Sequence, residues 1–512
     1  MEYKSYTDCF KERVKQDPDW VLYRFLTYEK ETDSWQFQDI TVRDLYQKSM
    51  DLAYTMRKRG IRHGDRVVIF SMQDYSTLYS VMGCILAGVT FTILPPPIDE
   101  GKIERFISVL KSAHPKGLIS NYAMEQQAGT NITKRLMAEA FSSVVRLKRI
   151  YSDKLIPCRD SGITYSAKPD DLMYLQYTSG STSAPKGVRV TSRALMTQLA
   201  QCRSADYTHF DHATLGTWVP FFHNLGLVIT LLMPVLTTGS TAYFLSTLQF
   251  LSNPKLWIRM LSDFKLTLTV GPCSAYDACT RIFTPEEAAL YDLSHMTHLM
   301  NGSEYISPVI VERFSEMFNL APNAMAPGYG LSECICLASV ASRDYRTLLL
   351  EDEPFRDGRI IPVTEDTPPE QIHEIVGVGP AVEGLSFAIG NPKTGEVYPE
   401  NKIGEIFVTV ESVADGYWGG ISANKNFHCK LNGRQEEFYK TGDLGFLNDG
   451  ILYITGRIKE MLIVNGHNIY PSDLMTLIHK KVPGLGSSTM GFFSVKDETK
   501  ENIIAVVESS PE

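Results

Sequence analysis

Short apolar runs separated by helix-length segments restrict this chain to one fold class. Arg66-Val67-Val68-Ile69-Phe70, residues 89–94 and Gly117-Leu118-Ile119-Ser120 have strand length and little polar alternation. Residues 79–88 and 103–113 separate them and read as helices. A strand that is apolar on both faces must be covered on both. The pattern therefore predicts an α/β sheet with helices on each side. The rhythm resumes with a strand at 172–176, a helix at 191–205, strands at 240–245 and 266–270, and a helix at 309–318. Residues 1–60 read as an adapter region whose amphipathic stretch, 45–60, stops at Gly60. Residues 343–377 break the rhythm. They are charged, carry Pro354, Pro362, Pro368 and Pro369, and read as an irregular insertion. Beyond them, residues 404–410 and 451–454 predict strands of a β-rich lobe.

At 512 residues the chain is too long for one compact core, so two or three folded units are expected. A formal charge of −9 argues against a nucleic-acid partner, whose backbone demands a basic surface. Nine cysteines without C-x-x-C spacing offer no zinc site and point to a reducing, cytoplasmic setting. The apolar stretches 81–94 and 225–236 fall short of the roughly 20 residues that span a bilayer. The first residues lack the apolar core of a signal peptide.

The chemistry concentrates first in Tyr177-Thr178-Ser179-Gly180-Ser181-Thr182-Ser183-Ala184-Pro185-Lys186-Gly187, just after the strand at 172–176. Hydroxyls and amides there can donate to an anion, glycine lets the backbone close on it, and lysine adds charge. It is not a Walker A loop, and a flexible Gly/Ser turn fits the local composition equally well. Four more polar clusters follow in order. They are Asn301-Gly302-Ser303-Glu304, Pro327-Gly328-Tyr329-Gly330-Leu331-Ser332-Glu333, Tyr439-Lys440-Thr441-Gly442-Asp443 and Gly456-Arg457-Ile458-Lys459-Glu460.

This ordered set resembles the adenylate-forming superfamily of acyl-CoA synthetases, luciferases and peptide-synthetase adenylation domains. The loop at 176–187, the run Thr441 to Gly450 and the ending Asn468-Ile469-Tyr470-Pro471 are most similar to the fatty acyl-AMP ligases. The resemblance implies an α/β protein with a large N-terminal domain, residues 1–458, made of two α/β subdomains and a β-rich lobe. The insertion at about 343–377 belongs to that domain. A hinge near Lys459 leads to a small α+β lobe, residues 459–512, shorter than the family's usual one. It also implies a two-step reaction. A fatty acid and ATP give acyl-adenylate and pyrophosphate, and the acyl group then passes to the thiol of an acyl carrier protein. An acyl-CoA synthetase, or an adenylate-binding protein without turnover, shares the same nucleotide motifs.

Residue by residue, the resemblance assigns Thr178, Ser179, Gly180, Ser181, Thr182 and Lys186 to the ATP phosphates. Glu333 would be the Mg2+ ligand, and Ser332 would donate to the α-phosphate. Tyr329, with Gly330 beside it, would lie against adenine, whose wall would be Asn301, Gly302 and Ser303. Asp443 would accept the ribose hydroxyls, and Arg457 would reach ribose and α-phosphate. Lys186, Ser332, Glu333 and Arg457 would thus carry the chemistry, with His223 and Gly226 on the substrate side. Asn224 stands where relatives usually have aspartate, and Ser192-Arg193 where they often have histidine. Residues 226–232 would wall an acyl tunnel or be plain core. The family's late lysine has no counterpart before Glu512, so slow adenylation and a mobile small lobe are expected.

Overall fold

The structure is a computed structural model that describes residues 4–71, 74–95, 100–123, 147–177, 185–204, 210–341, 345–409, 413–420, 422–464, 467–482, 490–496 and 501–508. Among these residues, three main sheets carry the architecture. One has six strands in the order Lys148–Tyr151, Gly117–Ser120, Arg66–Phe70, Thr90–Leu94, Leu172–Tyr177 and Gly187–Thr191. Its neighbours run parallel except the last pair, which is an antiparallel hairpin. The buried faces of Val67, Val68, Ile69 and Phe91 explain why these short runs form interior strands. The predicted α/β class is therefore what the chain adopts.

The second sheet has eight strands. Its order is Ser339–Val340, Met325–Tyr329, His298–Asn301, Leu268–Gly271, Thr214–Thr217, Thr241–Leu245, Val21–Glu29 and Ser34–Thr41. The interior pairs are parallel and the two outermost pairs antiparallel. Ligands of open α/β sheets gather beyond the carboxyl ends of such parallel strands. That is where Asn301 and Tyr329 stand. The third sheet is antiparallel and joins Phe387–Gly390, Gly404–Thr409, Glu437–Asn448 and Cys429–Lys430, with Ile451–Arg457 also on Glu437–Asn448. After it come two short antiparallel ladders and the helix Pro471–Lys481.

Two expectations need correction. Residues 1–60 are not an adapter. The helix Tyr6–Gln16 buries Tyr6 and Phe10 in the main core, and Val21–Glu29 with Ser34–Thr41 close one edge of the eight-stranded sheet. The β-rich signal of those strands is diluted by Lys30, Glu31, Thr32 and Asp33 at their turn. The segment at 343–377 is also less irregular than its prolines implied. Thr347–Glu351 and Ile372–Val376 pair antiparallel, with the short helix Asp352–Arg356 between them. Its prolines fall outside that pair; Pro362 bridges Leu350 from the other side, where Val363 N–H and the Ile361 carbonyl on either side of it make the bonds.

The N-terminal elements also brace a π-helix, Leu225–Leu232, every residue of which is buried. Wide i→i+5 turns of this kind are rare. Pro234, two residues past its end, cannot donate to the ladder. The carbonyl of Leu232 accepts from the Tyr6 hydroxyl at 2.8 Å, and that of Leu231 from the Tyr23 hydroxyl. Both phenols are wholly buried, and burial holds them protonated. Tyr23→Phe leaves a buried carbonyl without its donor. It is predicted to lower stability by about 1–3 kcal/mol, read as a lower denaturant midpoint at unchanged slope.

Candidate active site

The site begins at the end of Met325–Tyr329. The Tyr329 hydroxyl donates to Asp443 Oδ2 at 2.6 Å, across 114 residues of sequence. Arg457 Nε lies 2.9 Å from the other carboxylate oxygen. Asp443 and Arg457 face each other across the pair Glu437–Asn448 and Ile451–Arg457, so the fourteen-residue spacing is the length of a hairpin. Asp443 is only 4% exposed. The backbone before it turns through Gly442, φ 80°, a conformation that favours glycine. That turn is fixed from within: Gly442 N–H donates to Glu405 Oε1 at 2.9 Å, and Asp443 N–H donates to Thr441 Oγ1 at 3.0 Å. Glu405 is fully buried, with Lys440 Nζ 3.4 Å from its second oxygen.

A second cluster joins the phosphate loop to Glu333. Lys186 stands where the hairpin re-enters the strand Gly187–Thr191, and Nζ lies 5.3 Å from the centre of the Tyr417 ring. The Tyr417 hydroxyl donates to Glu333 Oε1 and lies 3.2 Å from the Tyr439 hydroxyl. The segment around Tyr417 is held on both sides. Trp418 N–H donates to Gly187 O at 2.7 Å, and Ala414 N–H to Glu333 O at 2.7 Å. Burial and the Glu333 charge push the Tyr417 phenol well up, so it stays a donor. Tyr439 and Asp443 lie on one strand, which connects this cluster to the first.

Asn301 ends its strand with 1% exposure. Neither its amide oxygen nor its amide nitrogen has a hydrogen-bond partner among the described residues, and the side chain lies beside the Cys273 thiol. Gly302 packs so closely that a Cβ there would lie 2.8 Å from the Gly328 carbonyl. Ser303 follows at φ 73°. Asn301 also pairs in register with Pro327, two residues before Tyr329. A flat backbone wall with an unused buried amide suits the edge of a purine. A carboxylate with one donor on each oxygen keeps a further lone pair on each for two vicinal hydroxyls, and a half-buried Glu333 suits a hard cation. The residues present thus fit an adenine nucleotide with Mg2+.

His223 and Gly226 stand apart from these contacts but on a connected frame. Gln176 Nε2 donates to Phe222 O at 2.9 Å, linking the strand that enters the phosphate loop to the segment before His223. His223 Nδ1 accepts from Leu225 N–H at 3.2 Å, which places the ring proton of the neutral form on Nε2. The ring presents exposed surface while crowded atoms around it lower its pKa and favour the neutral form. A Cβ at Gly226 would come 2.1 Å from Pro220 O, so this glycine serves packing. Gly330 is equally tight against Cys336 O. Thr178, Ser179, Gly180, Ser181 and Thr182 lie outside the described residues; their flanks, Tyr177 and Gly187, are paired. Sequence reasoning missed Tyr417 and Glu405 and gave Tyr439, though inside a named cluster, no role. Tyr417 contacts Glu333 from 84 residues away, and no local spacing announces that.

Two parallel-cored α/β sheets, an antiparallel sheet and a nucleotide-shaped set of side chains where they meet define an adenylate-forming enzyme. Residues 10–418 match the family described as AMP-binding enzyme, and the chain belongs to that family, whose members use ATP with Mg2+. It is 33% identical to the medium-chain-fatty-acid–[acyl-carrier-protein] ligase JamA of Moorena producens, over 99% of this chain and 86% of that protein. It is 30% identical to the putative fatty-acid–CoA ligase fadD25 of Mycobacterium tuberculosis, over 98% of this chain and 87% of that one. The solved fatty acyl-adenylate ligase of Legionella pneumophila, in complex with acyl adenylate and pyrophosphate, superposes with a TM-score of 0.78 at 26% identity. That match covers 99% of this chain and 86% of the solved one. Among the described residues no helix is long and apolar enough to cross a membrane.

Burial raises the Asp443 carboxyl above the ordinary aspartate range, with Arg457 and the Tyr329 hydroxyl pulling the other way. The folded state therefore holds this proton more tightly than the unfolded one, and this group's contribution to stability declines as pH rises through that window. Binding of an adenine nucleotide through this carboxylate would have the opposite sign, because protonation removes its negative charge and turns one acceptor oxygen into a donor. Affinity for an adenine nucleotide is predicted to fall on acidification, starting above the ordinary aspartate value. Calorimetric titration between about pH 4 and pH 7 checks this, and Asp443→Asn should remove that pH dependence while weakening binding throughout.

Proposed function

We propose that the protein activates a fatty acid as its adenylate and delivers the acyl group to the phosphopantetheine thiol of an acyl carrier protein. The observation that carries the reading is the meeting of Tyr329, Asp443 and Arg457 with the Lys186–Tyr417–Glu333 cluster across three sheets. The names of the similar ligases, JamA foremost, supply the substrate class. A carboxylate oxygen bonds to the α-phosphorus, the bond to the bridging β-phosphate oxygen breaks, and pyrophosphate leaves. The thiol sulfur then bonds to the acyl carbon, AMP leaves, and the thiol proton passes to solvent.

The protein's share of this is positioning and charge. Asp443 holds the ribose, with Arg457 beside it to reach the α-phosphate. Asn301, Gly302, Ser303 and Tyr329 enclose the base. Thr178, Ser179, Gly180, Ser181, Thr182 and Lys186 hold the leaving pyrophosphate, and Ser332 donates to the α-phosphate. Glu333 supplies a carboxylate to Mg2+, which neutralises phosphate charge when bound. His223 offers Nε2–H to the fatty carboxylate, and Gly226 lets the π-helix close behind it. Residues 1–458 form the nucleotide-binding part, and residues 459–512 a smaller part after a hinge near Lys459.

Coenzyme A is the competing acceptor, as the name of fadD25 indicates. The carrier-protein reading is favoured by the segment at 343–377. Its Leu350, Phe355 and Ile375 share one apolar cluster with Phe446 and Tyr453 of the third sheet and with Tyr470, beyond Lys459. Phe355 and Tyr470 have ring centres 6.3 Å apart. An insertion gripping both sides of the hinge opposes the rotation that coenzyme A transfer would need.

Fatty-acid-dependent exchange of pyrophosphate into ATP is expected with the wild-type protein. Its absence across a series of chain lengths would remove the reading. Acyl transfer is expected to a phosphopantetheinylated carrier and to be slow with coenzyme A. Phe355→Ala should raise acyl-CoA formation about tenfold without changing pyrophosphate exchange. Equal, unchanged rates with both acceptors would contradict the carrier-protein assignment.

A further inference from the structure

The loop bearing Ser332 and Glu333 ends in an uncommon bend. After the turn Ser332–Cys334, Ile335 adopts φ 68° and ψ −50°, and Cys336 N–H donates to Cys334 O at 2.7 Å. This is the strained form of the γ-turn, with its central residue in a region that β-branched side chains avoid. Such strain persists only where the surroundings over-determine it. Ile335 is wholly buried, and the return leg presses on Gly330, where a Cβ would lie 1.8 Å from Cys336 O. Ala338 N–H donates to Tyr329 O at 2.8 Å. The bend thus sets where Tyr329, Ser332 and Glu333 stand.

One side chain from elsewhere holds the bend. Gln198 lies on the helix Ser192–Arg203, which directly follows the hairpin of the phosphate loop. It is 0% exposed. Its Oε1 accepts from Cys336 N–H at 3.0 Å and from Leu337 N–H at 2.7 Å. Its Nε2 donates to Gln201 Oε1 at 3.1 Å, and Gln201 in turn donates to Glu383 O at 2.7 Å. Both acceptor directions of the Gln198 oxygen are therefore spent on two successive amides of the strained return leg. A neutral amide does this in an apolar setting without introducing a buried charge.

We propose that Gln198 is a positioning residue for acyl-adenylate formation, pinning the γ-turn at Ile335 so that Ser332 and Glu333 meet the α-phosphate and the Mg2+ bound with ATP. The inference rests on the proposed function for the roles of Ser332 and Glu333. It adds a mechanical link: the helix that leaves the phosphate hairpin and the loop that carries Glu333 are tied by one oxygen atom. Displacing that oxygen releases the strain at Ile335 and moves Glu333 relative to Lys186. The carboxylate-binding side around His223 has no part in this link.

The test compares wild type with Gln198→Leu, Gln198→Glu and Gln201→Leu. Calorimetry measures the affinity of α,β-methylene-ATP with Mg2+, and steady-state pyrophosphate release gives the Mg2+ requirement and the fatty-acid KM. Gln198→Leu is expected to weaken nucleotide binding and raise the half-saturating Mg2+ concentration, each about tenfold, with fatty-acid KM nearly unchanged. Gln198→Glu, kept protonated by its burial, retains an oxygen for both amides and an O–H for Gln201 Oε1, and should restore most of the affinity. Gln201→Leu leaves both amide bonds intact and should behave as wild type. If Gln198→Leu does not fold, Gln198→Met takes its place, with the same expectations. Wild-type binding of the analogue with unaltered Mg2+ dependence in the variant overturns the inference and leaves the proposed function standing. A lower melting temperature with no change in either constant also overturns it. Failure of wild type to bind the analogue overturns the proposed function and the inference with it.

Discussion

A nearly buried carboxylate, Asp443, is the constraint on which the site depends. It is reached by a tyrosine from the eight-stranded sheet and by an arginine from its own hairpin partner strand. Removing such a carboxylate from water is costly unless its oxygens are bonded, so the two sheets must meet where it stands. Glu405 repeats the device on the neighbouring strand of the same sheet. It is a fully buried acid that holds the Gly442 amide and is approached by Lys440. Together they make the geometry of the turn before Asp443 a property of packing rather than of a free loop.

From that point the remaining pieces follow by connectivity. Tyr439, four residues before Asp443 on the same strand, meets the Tyr417 hydroxyl, which is bonded to Glu333. Tyr417 belongs to a segment paired with the strand that follows the phosphate loop. The face proposed to bind the nucleotide thus draws on strands from each of three sheets. Its electrostatics alternate: Lys186 and Arg457 supply positive charge, and Asp443 and Glu333 negative charge with tyrosine donors beside them. This arrangement suits a polyphosphate accompanied by a cation better than a free anion, which would meet the two carboxylates unscreened.

Much of this was legible in the chain before any coordinates. Fully apolar runs such as Val67 to Ile69 identify interior strands because only a sheet covered on both faces accommodates them. Asp443 and Arg457 stood in two of the ordered polar clusters, and the resemblance to the adenylate-forming superfamily singled them out. What stayed hidden has a physical reason in each case. Val21–Glu29 and Ser34–Thr41 are mixed in polarity because they form a sheet edge, where one face meets water. Tyr417 and Gln198 act through contacts over 84 and 138 residues of separation, and a tyrosine or glutamine in ordinary surroundings carries no local mark. The strained bend at Ile335 was invisible because isoleucine is the wrong residue for it by propensity. Tertiary contacts, the bonds to Cys336 and Leu337 among them, make it tenable.

The central claim is that these separated clusters surround one adenylate. The most direct measurement is a crystal structure of the protein with a non-hydrolysable acyl-sulfamoyl adenosine. The account predicts the base against Asn301-Gly302, both ribose hydroxyls within hydrogen-bond distance of Asp443, and the sulfamoyl group beside Ser332 with the acyl chain leaving past His223. A ligand bound away from Asp443, or with its ribose facing solvent, would contradict it.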